Sequence, residues 1–203
     1  MAYVRRRKTV TKTKATTAKK VRVPKTYEID GFVYRTRVLR DYHEALSKNK
    51  YVKSFSLPTV GNEQEARVKR FGAFKVTING ILFDSIMESK FYVYLLELKG
   101  SKEIKSFERQ VVFELQPKFK DKFSGKTVLP IKYISDFVVT DKDGTVFVVD
   151  VKGVETPEFR IKKKLFQYKY PNIQFMCLQW SARQKEWLDL DEIKKLKKSR
   201  KKK

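Results

Sequence analysis

The chain has 203 residues, of which 41% are hydrophobic and 13% aromatic, and it carries a net charge of +24 at neutral pH. This hydrophobic content supports a packed core and excludes a chain that is disordered throughout, while one Cys and one His exclude a disulfide scaffold and a Cys/His zinc site. No apolar run reaches the roughly 20 residues that cross a bilayer, and the N-terminus lacks the apolar stretch of a signal peptide, so we expect a basic, intracellular globular protein without a membrane contact.

Basic residues are concentrated at the two ends of the chain. Residues 1–26 contain ten Lys and Arg, residues 194–203 contain eight, and neither segment has an acid, so the ends carry 18 of the 24 net charges. Such ends predict contact with a polyanion, nucleic acid above all; tails that only solubilise the protein are the alternative. The N-terminal segment has no hydrophobic period, which predicts a disordered arm over 1–26, and we expect a basic tail over 191–203.

Residues 27–71 predict a small α+β unit followed by a linker. Strand-like sequence over 27–34 contains an Asp-Gly turn, apolar residues at helical spacing follow over 36–49, and alternation returns over 51–57. The polar sequence 59–70 predicts the linker to a main domain over 72–190.

The main domain begins with Asn79-Gly80, a strong signal for a two-residue hairpin turn. The following elements are predicted in chain order: a helix over 85–98 with an apolar stripe, a strand over 104–119 with a bulge or break, strands over 131–140 and 145–152, a helix over 156–169, a strand over 173–179, and a last helix capped by Ser181. This order of helix, three strands, helix and strand predicts an α/β fold with a mixed sheet.

The two central strands bring two carboxylates together. The sequence 142–144 fits a three-residue hairpin loop, which places Asp141 opposite Thr145 and therefore Asp136 opposite Asp150. The same alternation predicts one face with Ile134, Val138, Val146 and Val148, and an opposite face with Tyr133, Phe137, Val139, Phe147, Val149 and Val151. A sheet that is apolar on both faces is covered on both sides.

Two neighbouring carboxylates repel each other unless something positive lies between them. A divalent cation meets this need, because Mg²⁺ binds one or two carboxylates together with phosphate oxygens. Two alternatives stay open: a register shifted by one residue would turn Asp136 to solvent, and a simple ion pair would join Asp150 to Lys152.

Three short motifs resemble those of the PD-(D/E)XK nuclease superfamily. They are Gly-x-x-Phe-Asp-Ser-x-x-Glu over 80–88, Ser-Asp-Phe over 135–137, and Asp-Val-Lys-Gly over 150–153, followed by a lysine-rich helix. The resemblance covers about residues 72–180 and is closest to a phage-encoded endonuclease branch that is similar to Holliday-junction resolvases. It departs from the usual pattern at Ser135, where Pro is common, and at Asp150, where Glu is commoner.

The resemblance implies a restriction-endonuclease-like core (αβββαβ) with a mixed central sheet and flanking helices. It also implies hydrolysis of phosphodiester bonds with Mg²⁺ or Mn²⁺, held by Asp136, Asp150 and the carbonyl of Val151, with Glu88 as a further metal ligand and Lys152 as a catalytic residue. Glu88 has a competing interpretation, since Ser85 and Glu88 form a capping-box pattern. Gln110, on the strand beside the site, is a candidate for the substrate-binding set, where it would hold a metal-bound water or orient the strand; an ordinary exposed polar residue is the alternative.

The helix after the site supplies further candidates for binding the DNA backbone. Arg160, Lys163, Lys164 and Gln167 are predicted to share the side opposite Ile161, Leu165 and Tyr168; an ordinary solvated face is the alternative.

The sequence and the resemblance together predict a metal-dependent DNA endonuclease of phage recombination, replication or genome processing, acting on duplex or branched DNA. The expected location is the cytoplasm of a bacterial host, and a homodimer stays open. The alternative is a nucleic-acid-binding protein that keeps the fold without catalysis, and an RNA-binding protein fits the basic ends but not the acidic pair.

Overall fold

The computed structural model describes residues 25–60 and 74–200. The predicted arm before residue 25, most of the predicted linker, and residues 201–203 lie outside these ranges. The N-terminal elements are β1 (Tyr27–Ile29), β2 (Phe32–Tyr34), α1 (Arg37–Ser47) and β3 (Phe55–Ser56). Both residues of the predicted turn, Asp30 and Gly31, have positive φ angles of 50° and 78°, which is the geometry that favours an Asp-Gly hairpin.

The N-terminal elements contact the main domain. Strand β3 pairs with β4 (Val76–Ile78), which itself pairs with β5 (Ile81–Phe83). The Tyr42 hydroxyl of α1 forms a hydrogen bond of 3.0 Å with Ser89 of α2 (Ile86–Gly100). Buried residues of α1 therefore belong to the same hydrophobic cluster as the central sheet.

Helix α2 is buried on more than the single stripe that was predicted. Phe91 contacts Phe137 of the sheet at a centroid distance of 5.2 Å, while Tyr92 and Val93 are also buried. The helix is covered by the sheet on one side and by α1 on another, which explains why its apolar residues surround it.

The remaining elements complete the described chain. They are β6 (Ile104–Arg109), β7 (Val112–Gln116), β8 (Phe119–Lys120), β9 (Thr127–Val128), β10 (Ile131–Ile134), β11 (Phe137–Asp141), β12 (Val146–Val151), α3 (Pro157–Lys169), β13 (Gln174–Ser181), β14 (Glu186–Asp189) and α4 (Leu190–Arg200). Thr156 caps α3 and accepts a hydrogen bond from Phe159 N–H, as its sequence predicts.

Five of these strands form a mixed central sheet in the order β14-β13-β12-β11-β6. Strands β12 and β13 are parallel, and the other neighbours in the sheet are antiparallel. The prediction of an α/β fold with a mixed sheet is confirmed. One face carries α2 and the N-terminal elements, and the other carries α3, β7 and β10, so the predicted burial of both faces is also confirmed.

The strand predicted over 131–140 is divided into β10 and β11, and this break corrects the predicted faces. Strand β10 pairs with β7 outside the central sheet, and the alternation restarts after Ser135 and Asp136. Tyr133 is consequently buried on the α3 side with Val148, and Ile134 is exposed. The prediction had placed each of these two residues on the wrong face.

Two predictions near the C-terminus were also wrong. Ser181 does not cap a helix; it ends β13 and bonds with Gln184 in the turn before β14. Helix α3 packs through Phe159 and Phe166, whereas Ile161 and Tyr168 are 61% and 89% exposed. The helix has apolar residues on two sides, and contact with β7 and β13 selected the side that contains the two phenylalanines.

The shared core generates a test of whether the N-terminal elements fold with the sheet. Leu46 of α1 is 2% exposed, and truncating a buried Leu costs about 2–5 kcal/mol. We expect Leu46→Ala to lower the urea midpoint reported by tryptophan fluorescence, because both tryptophans lie in β13 and β14. Val38→Ala, at a 58% exposed position of the same helix, should change the midpoint little. An unchanged midpoint for Leu46→Ala would show that the N-terminal elements unfold independently.

Candidate active site

The candidate site lies where β11 begins and β12 ends. The register Phe137–Val149 and Val138–Val148 matches the predicted pairing, which sets Asp136 beside Asp150. At the same level the neighbouring strands separate: the Gln110 N–H donates to the Asp136 carbonyl at 3.2 Å, and the Ser135 N–H donates to the Val111 carbonyl at 3.0 Å. Asp136 therefore lies at the point where the chain passes from β10, outside the central sheet, into β11 of that sheet.

Asp136 is half-buried and is held by the main chain of the neighbouring strand. Its Oδ2 accepts a hydrogen bond of 2.8 Å from the Val151 N–H. Burial and the negative charges of Asp150 and Glu88 outweigh this bond and raise the pKa of Asp136 from its ordinary value of 3.8 to about 7. The site thus disfavours a second negative charge, as expected for two carboxylates in a poorly solvated place.

Asp150 is the more deeply buried acid, with 1% of its surface exposed. Its Oδ2 accepts a hydrogen bond of 2.7 Å from the Tyr133 hydroxyl, and its Oδ1 lies 2.6 Å from the Lys152 Nζ. Oδ1 is buried and has no contact with hydrogen-bond geometry in the described chain, so the contact with Lys152 is mainly ionic. The ion pair that was left open as an alternative is present in the structure.

Lys152 stays positively charged in this environment. Burial acts to lower the pKa of its amine, but the attraction of Asp150 and Asp136 is larger, and the pKa is raised overall. Its Nζ also lies 4.4 Å from the centre of the Phe159 ring of α3, a cation–π distance. Lys152 is therefore positioned between the carboxylates and the start of α3.

Tyr133 is a site residue that the sequence analysis missed. Burial, reinforced by Asp150, raises the pKa of its hydroxyl far above the ordinary value of 10, so the group remains a hydrogen-bond donor. The predicted alternation placed Tyr133 on the other face because it ignored the break after Ile134. A signal was present, since Ser135 and Asp136 are poor strand formers compared with the residues around them.

Glu88 lies near the pair but is engaged by the helix cap. Its N–H donates to Ser85 Oγ at 3.2 Å, and Ser85 Oγ donates to its carboxylate at 2.9 Å. Burial is the main cause that raises the pKa of Glu88, with contributions from Asp84 and Asp150. The structure thus contains the capping contact and also places Glu88 within the electrostatic reach of Asp150.

Arg109 is a second residue that sequence reasoning did not select. Its guanidinium lies 4.2 Å from the centre of the Phe83 ring, and its buried Nε has no hydrogen-bond partner among the described residues. Glu88 and Asp136 both act on its pKa, which burial lowers overall. The structure therefore adds a second cation near the acidic pair, at the end of β6.

The other predicted residues lie around this centre. The Gln110 side chain is exposed, and the residue has a positive φ of 53°, so its clearest contribution is the main-chain bond to Asp136. On α3, Arg160, Lys164 and Gln167 are exposed, whereas Lys163 lies 3.6 Å from Glu155 and is 19% exposed. Three of the four predicted helix residues are thus free to contact a ligand from solution.

The residues present fit a metal held by two carboxylates better than one held by three or four protein side chains. The described part of the chain has no group of three or more His, Cys, Asp and Glu side chains placed to hold one ion. The Lys152 amine already contacts Asp150 Oδ1, whereas the raised pKa of Asp136 indicates that a further cation beside that carboxylate would be favoured. Mg²⁺ commonly binds one or two carboxylates and completes its shell with water and phosphate.

The acidic pair lies apart from the more apolar clefts of the molecule. A cleft of about 520 Å³ lies between α1, α2 and the two tryptophans, and it contains none of the predicted site residues. A cleft of about 400 Å³ begins at Gly153, immediately after Lys152, and includes Arg160. His43 is buried in the N-terminal elements, where its Nδ1 lies 2.6 Å from the Tyr34 hydroxyl, away from the acidic pair.

Comparison with known proteins places the chain in a family without assigning an activity. Residues 68–188 match the family model described as a protein of unknown function (DUF1064), and this span is more than half of the chain. The chain therefore belongs to that family, and the span contains every residue of the acidic site. No curated protein matched the chain. No helix in the ranges 25–60 and 74–200 is both long and apolar enough to cross a membrane.

The pKa of Asp136 generates a prediction for the protein without metal. The pKa of Asp136 is higher in the folded protein than in the unfolded chain. The contribution of this carboxyl to the stability of the fold is therefore greatest below pH 4 and is lost as the pH rises toward 7. Asn removes the charge and can still accept the Val151 bond. We expect Asp136→Asn in EDTA to raise the free energy of unfolding by a few kcal/mol at pH 8 and by less than half of that at pH 5, as measured by urea denaturation.

A matched control lies in the turn that joins the same two strands. The Thr145 N–H bond lowers the pKa of Asp143, so its stabilising effect is present at high pH and is lost as the pH falls. Asp143→Asn should therefore lower stability at pH 8, opposite to Asp136→Asn. An Asp136→Asn protein that is no more stable than wild type at pH 8 would contradict electrostatic repulsion within the pair.

Proposed function

We propose that this protein is a metal-dependent DNA endonuclease with a PD-(D/E)XK core. The observation that carries the proposal is the convergence of Asp136, Asp150 and Lys152, with Lys152 Nζ 2.6 Å from Asp150 Oδ1. Two acids and a lysine on neighbouring strands are the residues that the three sequence motifs would bring together. We further propose that it acts in the bacterial cytoplasm on phage DNA, as the resemblance implies.

The order of the elements supports this proposal. Helix α2, the antiparallel strands β6, β11 and β12, helix α3, and strand β13 parallel to β12 occur in this order in the chain, with β7 to β10 inserted between β6 and β11. This is the αβββαβ order that the resemblance implies, and the acids lie on its second and third strands.

The proposed roles follow from the contacts of each residue. Asp136, Asp150 and the Val151 carbonyl would hold Mg²⁺ or Mn²⁺. A bound divalent cation would make water more acidic and offset charge on a phosphate. The Val151 N–H and the Tyr133 hydroxyl orient the two carboxylates, and Lys152 would orient water or stabilise negative charge at the scissile phosphate.

The charge distribution supports DNA as the substrate. The exposed Arg160, Lys164 and Gln167 lie on the helix that follows Lys152, where they would contact phosphates. The basic ends of the chain would add affinity that depends on salt and not on sequence. The acidic pair would be the exception in this positive surface, which is expected where a cation intervenes between protein and phosphate.

A DNA-binding protein without catalysis is the second candidate. The observation that favours it is the same ion pair, because the Lys152 amine neutralises the buried Asp150 without any metal. The two candidates differ in one property: a nuclease cleaves DNA when a divalent cation is added, and a binding protein only retains it.

We expect the wild-type protein to cleave DNA with Mg²⁺ or Mn²⁺ and not in EDTA. Asp150→Asn and Lys152→Ala should each lower the cleavage rate by about a hundred-fold or more, because they remove a metal ligand and a cation at the reacting phosphate. DNA affinity should remain within a few-fold, since basic residues elsewhere supply it. The measurements are conversion of supercoiled plasmid with time and fluorescence anisotropy of labelled DNA.

Lys162→Ala is the control for the lysine variant. Lys162 also forms a lysine–carboxylate pair, with Glu158 at 2.7 Å, but this pair lies on α3 and not beside Asp136 and Asp150. The Lys162→Ala variant should therefore cleave DNA at near the wild-type rate. Cleavage that continues undiminished in EDTA would contradict the metal requirement. DNA that is bound but never cleaved with either metal would favour the second candidate.

The role of Glu88 is separated by two neighbouring substitutions. Ser85→Ala removes the cap and keeps the carboxylate, so it should cost about 1 kcal/mol of stability with little change in the rate of DNA cleavage. Glu88→Gln keeps an oxygen for Ser85 and removes the charge, so a metal-site role predicts at least a ten-fold lower rate at near wild-type stability. Thermal unfolding and plasmid cleavage distinguish these results; a Glu88→Gln enzyme of normal rate would leave Glu88 as a cap residue alone.

A further inference from the structure

A two-stranded ribbon extends from the break beside Asp136. Its base consists of β7 and β10, which pack against α3 through Phe113 and Tyr133. Its outer part consists of β8 and β9, which pair with each other and with no further strand among residues 25–60 and 74–200. Pro117 and Pro130 separate the base from the outer part on the two strands. We call the segment 117–130 the outer ribbon.

The outer ribbon is almost entirely exposed and is strongly basic. All four of its lysines are exposed, and none forms an ion pair with an acid of the described chain. They are Lys118, Lys120, Lys122 and Lys126. The only acid in this segment is Asp121. Four unpaired lysines on two short strands form a positive surface of the kind that contacts phosphates.

The tip of the outer ribbon holds an aromatic ring in solvent. Phe123 is fully exposed, although a large apolar side chain is normally withdrawn from water. The tip itself is well ordered by hydrogen bonds: the Asp121 carboxylate accepts from the Phe123 N–H, the Ser124 N–H and the Ser124 hydroxyl. The Gly125 N–H donates to the Asp121 carbonyl, and Gly125 itself has a positive φ of 67°. The ring is therefore presented by a braced turn and has no cover of its own.

The outer ribbon is connected to the candidate active site through β10. Val128 is eight residues before Asp136, which corresponds to about 26 Å of extended strand. A DNA duplex held at the acidic pair would need to extend along the ribbon by about one helical turn to reach the lysines. A bare ring beside such a path can stack on a base, but in a regular duplex the faces of the bases are already covered by their neighbours.

We propose that the outer ribbon binds DNA and that Phe123 stacks on a base that is unpaired, as at a gap, flap or branch. The lysines contact the flanking phosphates, and the ring supplies the preference for distorted DNA. This inference takes the identity of the polymer from the proposed function, but it does not depend on cleavage. The Phe123 side chain is fully exposed, and the N–H that bonds to Asp121 belongs to the main chain, so substituting the side chain should leave the fold intact.

The test compares two labelled DNA probes in EDTA, where cleavage is absent. One is an intact 30-base-pair duplex, and the other has the same sequence with a four-nucleotide single-stranded gap. Wild type should prefer the gapped probe. Phe123→Ala should lower affinity for the gapped probe about ten-fold and change affinity for the duplex less than two-fold, while Phe123→Trp should retain the preference and Phe123→Leu should not.

The lysines are tested by a different measurement on the same probes. Lys120→Gln, Lys122→Gln and Lys126→Gln combined should lower affinity for both probes and reduce the slope of log affinity against log salt by up to about 3. Equal affinities of Phe123→Ala and wild type for the gapped probe would overturn the proposal, as would an equal loss on both probes or no DNA binding by wild type. A change from dimer to monomer on Phe123→Ala, seen by sedimentation, would instead assign the ring to contact with a second copy.

The same data separate this inference from the proposed function. A gap preference that depends on Phe123 in a protein that never cleaves DNA with Mg²⁺ or Mn²⁺ would support the ribbon and refute the nuclease. Normal cleavage with no effect of Phe123→Ala would do the reverse.

Discussion

The break in the strands beside Asp136 is the constraint on which the site depends. Two main-chain bonds, from Gln110 to the Asp136 carbonyl and from Ser135 to the Val111 carbonyl, fix both separating strands at one level. The alternation of side chains between the two faces of the sheet is interrupted at Ser135 and Asp136. Tyr133 consequently points toward Asp150, and Asp136 lies at the end of β11. Had the two strands continued without a break, Tyr133 would face away from Asp150 and its carboxylate would lose its hydroxyl donor. Gln110 adopts a positive φ without being glycine, so some backbone strain is retained at this point.

Electrostatics then decides what the site can hold. Two acids share a region from which water is largely excluded, and the chain provides Lys152 and Arg109 as nearby cations. Lys152 contacts Asp150 directly, whereas no described acid lies within ion-pair distance of Arg109. The arrangement thus has one carboxylate that is paired with a lysine and one whose ionisation is unfavourable.

Local signals in the sequence were sufficient for much of this fold. Asp30-Gly31, Asn79-Gly80 and the Thr156 cap each act over a few residues, and the loop at Gly144 was enough to align Asp136 with Asp150. The failures required information from distant residues. Helix α3 has two apolar sides, and only contact with Phe113 and Phe175 selects the side that contains Phe166. Ser181 has the chemistry of a helix cap, but it bonds within a turn that brings Trp180 against Trp187. Arg109 was missed because its role comes from stacking on Phe83, a residue of another strand pair.

The outer ribbon also has a consequence for how the protein behaves at high concentration. A short ribbon with open edges and exposed apolar residues is a template for pairing with other chains. Pro117 and Pro130 interrupt its two strands and remove a backbone donor from each, while the lysines repel a second ribbon of the same charge. High salt screens this repulsion between lysines and should therefore favour self-association of the protein through the ribbon.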